Sequence, residues 1–324
     1  MKGKFNELTA VLLVLVCVIY YFLLMAIVPV LPSSHTVAQE STTPAPASTT
    51  ITDQLGRTLT LTTTYPQRII SLAPSNTEIL FALGLGDRVV GVTDYCNYPP
   101  EAKTKPSVGE YVNPNIEGIV AMNPDLILGT EAQTADYYAQ IESKGLTMVA
   151  ISPKTFDEVL ASITLIGKIT GADKAAAALT ASMQKRIKAV TDKTASLSPD
   201  MKPSVFYVLW DDPLMTAGKG TFTDEMIAKA GGTNIFGDLE SYPTVSLENV
   251  LVADPQIMVA GVGTNEGEQE PFQFIMTESR LQDTSARQNN RVYSINMDII
   301  SRPGPRIVDA LEEFAHIFHP ELFP

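Results

Sequence analysis

The pattern of apolar and polar positions divides the chain into three unlike parts. Lys2 and Lys4 precede a run over residues 8–31 whose polar side chains are essentially Thr9, Tyr20 and Tyr21. A secretory apolar region needs roughly 7–15 residues and a membrane span about 20. The run therefore predicts an uncleaved membrane anchor over residues 1–32, with a secretory signal cleaved after Thr36-Val37-Ala38 as the alternative. In either case the leading lysines keep the N-terminus inside and export the remainder. Residues 33–51 are rich in Ser, Thr, Pro and Ala, bury too little apolar surface to order themselves and read as a tether.

From residue 52 onward, short apolar runs alternate with helical periodicity. Arg68-Ile69-Ile70-Ser71-Leu72, Val89-Val90-Gly91-Val92 and Asp125-Leu126-Ile127-Leu128 read as buried strands. Ser75-Asn76-Thr77-Glu78 has the form of a capping box, opening a helix that ends at Gly84. Strands alternating with helices predict an α/β fold with a mainly parallel sheet. Between about residues 155 and 195, Ala176, Leu179, Met183, Ile187 and Val190 form one helical stripe. Gly171 divides that region into two helices, with Asp173 as a candidate N-cap. After Pro203 the alternation resumes with Val205-Phe206-Tyr207-Val208-Leu209.

The two halves echo one another without a gap. Residues 115–128 align with residues 246–259, each copy running from a cap residue through a first-turn acid (Glu117 and Glu248) and an apolar helix to a proline and a buried strand. Two similar lobes with a helical connector follow, divided as 52–154, 155–198 and 199–324. Ligands favour the crevice between such lobes.

Charge and composition then narrow the class. A net charge of −13 argues against nucleic acid, which demands a basic face. Phosphate loops, nucleophile elbows and Cys-x-x-Cys pairs are absent from the sequence, so binding is the expected class rather than catalysis. Cys17 and Cys96 are the two cysteines, and Val16 before Cys17 disfavours lipidation there. The histidines are His35, His316 and His319; the last two read as surface residues ending a terminal helix, and no metal site is expected.

The remaining chemistry lies in aromatic and amide-rich loops that follow strands: Tyr95-Cys96-Asn97-Tyr98, Gly109-Glu110-Tyr111 and Leu209-Trp210-Asp211-Asp212-Pro213-Leu214-Met215. Flat faces with polar tips suit a large planar ligand. Near the C-terminus, Asp298 and Arg302 are four residues apart. They either offer an acceptor and a donor fork to ligand amides or pair with each other.

The segment from Arg68 to Pro100, the stretch from Trp210 to Gly220 and Ser301-Arg302-Pro303-Gly304-Pro305-Arg306-Ile307 resemble the cobalamin-binding members of the iron-siderophore and cobalamin periplasmic-binding family. The resemblance covers nearly all of residues 52–322. It implies a class III architecture of two Rossmann-like lobes on one long rigid helix. It further implies an extracytoplasmic, monomeric substrate-binding protein that serves an ABC permease dimer with a cytoplasmic ATPase. By the same resemblance Tyr95, Tyr111, Phe206, Trp210, Met215, Asp298 and Arg302 contact a transported corrinoid, Glu117 and Glu248 dock on the permease, and no cofactor is held. Tyr111 stands where a well-known relative has Trp. Two other readings stay open: a ferric siderophore or haem carrier of the same fold, and a membrane-anchored sensor or scaffold without transport.

Overall fold

The computed structural model describes residues 48–62, 64–263 and 269–323. The apolar run of residues 8–31 and the tether as far as residue 47 lie outside these described residues. Among the described residues no helix is long and apolar enough to cross a membrane. The tether expected as far as residue 51 overlaps regular structure, because Ser48–Thr52 is a strand (β1) paired antiparallel with Thr58–Thr62 (β2). Its β-branched residues suit the pleat, and Ile51 is buried. The Asp53 carboxylate closes the turn by accepting from the Leu55 and Arg57 amides, and its Oδ2 also takes the Ala150 amide at 3.1 Å.

The first lobe carries β3 (Ile69–Ser71), α1 (Pro74–Ala82), β4 (Val89–Val92), α2 (Ile116–Ala121), β5 (Leu126–Gly129), α3 (Ala135–Ser143) and β6 (Met148–Ala150). The connector is α4 (Phe156–Thr170) and α5 (Asp173–Thr194). In the second lobe come β7 (Ser204–Val208), β8 (Trp210–Asp211), β9 (Leu214–Met215), α6 (Phe222–Lys229) and β10 (Thr233–Asn234). They are followed by α7 (Leu247–Ala253), β11 (Ile257–Val262), α8 (Glu270–Thr277), α9 (Ser285–Gln288), β12 (Val292–Asn296), α10 (Met297–Ser301) and α11 (Ile307–Phe318).

Both sheets are parallel, and both have the same strand order. The first runs β4-β3-β5-β6 and the second β10-β7-β11-β12, so in each lobe the earliest strand lies between the second and the third. Strand periodicity assigns each side chain to a layer. In β5, Leu126 and Leu128 join a cluster shared with the connector helices, while Ile127 faces the opposite layer. In β11, Ile257 and Val259 join that same shared cluster, and Met258 and Ala260 face away. The echo extends to backbone detail: Asn115 and Ser246 cap α2 and α7 by accepting from Gly118 and Asn249. Asn123 and Asp254, at equivalent places, have φ of 45° and 43°. Asn and Asp tolerate that left-handed region better than other side chains.

The connector ties the lobes together. Thr155 caps α4 by accepting from the Glu158 amide, and Gly171 with φ +75° ends it in the left-handed conformation glycine favours. Helix α5 follows with 22 residues, a rod of about 33 Å. Asp173 is its first helical residue, and Ala172 stands at the cap position with no side-chain bond. Ala176, Met183 and Val190 are buried, with Leu179 and Ile187 packed beside them. The two ends of the pair reach different lobes. Thr170 O accepts from Arg88 Nη1 at 2.9 Å in the first, and Thr194 Oγ1 donates to Lys229 O at 2.8 Å in the second.

The two helices pack tightly at Gly167, where an added Cβ would lie 2.4 Å from Ala176 Cβ. Helix propensity alone favours Gly167→Ala by about 1 kcal/mol. Overpacking costs about 1–3 kcal/mol. The variant is expected to unfold at lower urea concentration than the parent. A higher midpoint would show that the contact yields and does not set the spacing.

Candidate functional site

The parallel strands of each lobe point their C-terminal ends at a crevice, the place where α/β sheets bind ligands. Tyr95 and Asn97 follow β4, Tyr111 precedes α2, and Asp298 and Arg302 belong to or follow α10, just beyond β12. Two cavities open there. The smaller, about 350 Å³, is lined by Tyr95 and Tyr111 from the first lobe and by Asp298, Arg302 and Met297 from the second. The larger, about 760 Å³, is lined by Cys96, Asn97, Tyr98 and Lys105 together with Asn296 and Arg306. Tyr95, Asp298 and Arg302 border both. Both volumes fall within the roughly 300–1,000 Å³ usual for small-molecule sites.

The walls are fixed by ions that cross from one lobe to the other. Glu78 in α1 is only 3% exposed, yet it does not close a capping box: Ala73 occupies the cap position and makes no side-chain bond. The carboxylate accepts instead from Arg306 of the second lobe, at 2.9 Å from Nε and 2.5 Å from Nη2. Arg302 Nη1 lies 3.6 Å from the same carboxylate. A carboxylate with so little water must find cations, and two guanidiniums outweigh a cap that two backbone amides would supply. Burial pushes the Glu78 carboxyl above its ordinary value even though the Arg306 and Arg302 charges pull it down. Burial likewise draws the Arg306 guanidinium down, but the Glu78 carboxylate against it holds it above its usual value. Arg306 also stacks 3.8 Å above the Tyr98 ring, another crossing from lobe to lobe.

Asp298 and Arg302 do pair, with Nη2 at 2.6 Å from Oδ1. Asn97 bridges to both from the facing lobe, donating from Nδ2 to Asp298 Oδ2 at 3.1 Å and accepting from Arg302 Nη1 at 2.5 Å.

The other expected contacts fall in several places. Tyr95 is 56% exposed, a ring offered to the crevice. Tyr111 is held by its hydroxyl 3.2 Å from Thr130 Oγ1 and by its carbonyl, which accepts from Gln133 Nε2 at 2.5 Å. Trp210 and Met215 lie in the short β8–β9 pair just beyond β7 and line neither of these two cavities. The Trp210 Nε1 donates to Asp212 O at 3.0 Å. Phe206 is corrected outright: it is fully buried and packs edge-to-face on Phe236, because alternation along β7 turns it into the outer layer. A ring with no exposed surface has none to give a ligand.

Glu117 and Glu248 are exposed in the first turns of α2 and α7, one on each lobe. Cys96 is a free, buried thiol with the Thr77 and Thr93 hydroxyls at 3.1 and 3.3 Å. His319 is buried against Gly231 O rather than on the surface, while His316 is exposed. Asn97, Glu78 and Arg306 are the site residues that sequence reasoning passed over. The amide-rich loop and the Ser-Arg-Pro-Gly-Pro-Arg motif contained two of them, but only the fold sets them against Glu78.

Comparison with known proteins agrees with this fold. Residues 69–298 match a protein-family model described as periplasmic binding protein. The chain is 34% identical over 263 residues to YvrC of Bacillus subtilis, an ABC transporter substrate-binding lipoprotein, covering 80% of this chain and 82% of that one. Among solved structures, the periplasmic vitamin B12-binding protein BtuF of Vibrio cholerae superposes with a TM-score of 0.69 at 32% identity, covering 79% and 97% of the two chains. The periplasmic haem-binding protein RhuT from Roseiflexus sp. RS-1 superposes with a TM-score of 0.70 at 29% identity, covering 79% and 99%.

Removing one partner of a buried ion pair costs about 3–5 kcal/mol, because the other charge stays behind. Glu78→Ala and Arg306→Ala are each expected to lower stability by about that amount. The double variant should cost much less than the two combined, as read from urea unfolding of all four chains. Additive losses would mean that the two side chains act independently.

Proposed function

The chain belongs to the periplasmic binding protein family, and from that premise we propose that it captures a corrinoid between its lobes outside the cytoplasm and delivers it to an ABC permease. The observation that carries the reading is the smaller cavity, where Tyr95 and Tyr111 from one lobe share walls with Asp298 and Arg302 from the other. Two phenol rings supply flat apolar faces, and the Asp–Arg pair supplies an acceptor and a donor fork at the rim. Cobalamin matches that combination: a broad macrocycle whose edge bears amide arms. Support also comes from the likeness to the vitamin B12-binding protein of Vibrio cholerae. In this reading Trp210 and Met215 meet the ligand from the second lobe, and residues 8–31 hold the protein at the membrane.

The exposed acids extend the proposal to the transporter. Glu117 and Glu248 occupy equivalent first turns of equivalent helices on two lobes of identical strand order. Such a pair suits a permease dimer that presents the same basic socket twice. Each acid also favours its own helix start through the dipole, and that effect is compatible with docking.

The haem reading draws on the likeness to haem-binding proteins such as RhuT. Tyrosine can ligate haem iron, and Tyr95 is well placed to reach into the crevice. Haem carboxylates, however, would meet Asp298 beside Arg302.

Calorimetric titration of the purified protein with cyanocobalamin, haemin and a ferric siderophore separates the readings. Cyanocobalamin is expected to bind at micromolar concentration or tighter, and Arg302→Ala to weaken it about 10- to 100-fold through loss of a charged hydrogen bond. No heat with cyanocobalamin alongside saturable binding of haemin would overturn the corrinoid assignment. A separate measurement concerns delivery. Glu117→Ala combined with Glu248→Ala is expected to abolish corrinoid uptake by cells while leaving the calorimetric affinity as it was. Uptake that persists would remove docking from these acids.

A further inference from the structure

The Asp298–Arg302 pair already has an amide seated on it. The Asn97 side chain presents an N–H to Asp298 Oδ2 at 3.1 Å and a carbonyl to Arg302 Nη1 at 2.5 Å. Arg302 meanwhile keeps its other terminal nitrogen on Asp298 Oδ1 at 2.6 Å. A primary carboxamide carries a donor and an acceptor side by side, and the pair offers the converse arrangement. The molecule thus displays on its own atoms which chemical group this corner accepts.

We propose that Asn97 is a built-in stand-in for the ligand: its carboxamide competes for Asp298 and Arg302 with a primary amide on the ligand rim, and binding exchanges one for the other. This deepens the functional reading above and rests on the crevice being the ligand site.

Three observations bear on it. Tyr95, Asp298 and Arg302 border both cavities, so the Asn97 bridge stands where the two meet. A flat ligand wide enough to use both must take that bridge apart. Second, the Arg302 side chain is only 15% exposed. A guanidinium so shielded from water needs an acceptor at every stage, and exchange between two amides supplies one. Third, the chemistry discriminates. A carboxylate satisfies Arg302 but sets a second negative charge against Asp298, whereas a primary amide satisfies both. The corner therefore selects macrocycles edged with primary amides over macrocycles edged with carboxylates.

Competition has a measurable sign. If Asn97 occupies the ligand's place, removing it raises the competent fraction and tightens binding. Asn97→Ala and the shorter polar variant Asn97→Ser, in the full-length protein, are expected to bind cyanocobalamin about three- to tenfold more tightly than the parent, the worth of about one exchanged hydrogen bond. Cyanocobalamin with its rim amides hydrolysed to carboxylates is expected to bind the parent more weakly than the intact vitamin. An affinity that is unchanged or weaker in both variants overturns the proposal, since Asn97 would then be a bystander or a ligand contact.

A second measurement uses no ligand. Hydrogen exchange across residues 296–302 should be faster in Asn97→Ala than in the parent. Should the parent fail to bind cyanocobalamin at all, the functional reading falls on that result alone. Exchange then decides the bridge: faster exchange retains Asn97 as the brace of this corner, and unchanged exchange sinks it.

Discussion

A carboxylate withdrawn from water requires cations at hydrogen-bonding distance, and Glu78 finds both of its cations on the other lobe. Arg306 grips it with two nitrogens while Arg302 stands slightly farther off. Because Glu78 sits in the first helix of one lobe and the arginines beside the last helix of the other, this contact sets how the rims of the crevice face each other. The neighbouring loop comes close enough that a Cβ on Gly304 would be 3.4 Å from Ser75 O. The α4–α5 pair performs a complementary task at greater distance, running one apolar cluster through both lobes. With the backs joined by packing and the fronts by charge, Tyr95, Tyr111, Asp298 and Arg302 come to share a wall.

Most of the architecture was legible from periodicity. The strands at Ile69, Val89, Leu126 and Val205, the stripe from Ala176 to Val190 and the break at Gly171 all depend on local pattern, and local pattern decided them. The echo between residues 115–128 and 246–259 reaches to matching caps and to left-handed Asn123 and Asp254, a level of agreement that unrelated α/β units have no reason to share. What local pattern missed was tertiary. Ser75 to Glu78 spells a capping box, but a buried carboxylate facing two guanidiniums has a stronger use than a helix end. Composition placed residues 48–51 in a tether, yet threonines that pair across a hairpin are good strand formers.

The site was legible by loop and not by side chain. Tyr95, Tyr111, Asp298 and Arg302 were singled out from their chemistry, and the fold brings them together. Phe206 was drawn in by the family resemblance, although the strand's twofold period turns it to the far layer. Asn97 was noted within its loop but given no role, because an asparagine in a loop is ordinary until its two partners, more than 200 positions away, are set opposite it.

The β1–β2 hairpin has a mechanical side. Its Asp53 turn is fastened to the edge of the first lobe at Ala150, so Ser48, the first described residue, is tied to that lobe through the hairpin. Tension applied at Ser48 would reach its pair with Thr62 first and peel the ladder rung by rung, a geometry that yields at low force. The crevice, tied by its own bonds farther inside, would be spared: the hairpin is a strain relief, like the sleeve where a cable enters an instrument.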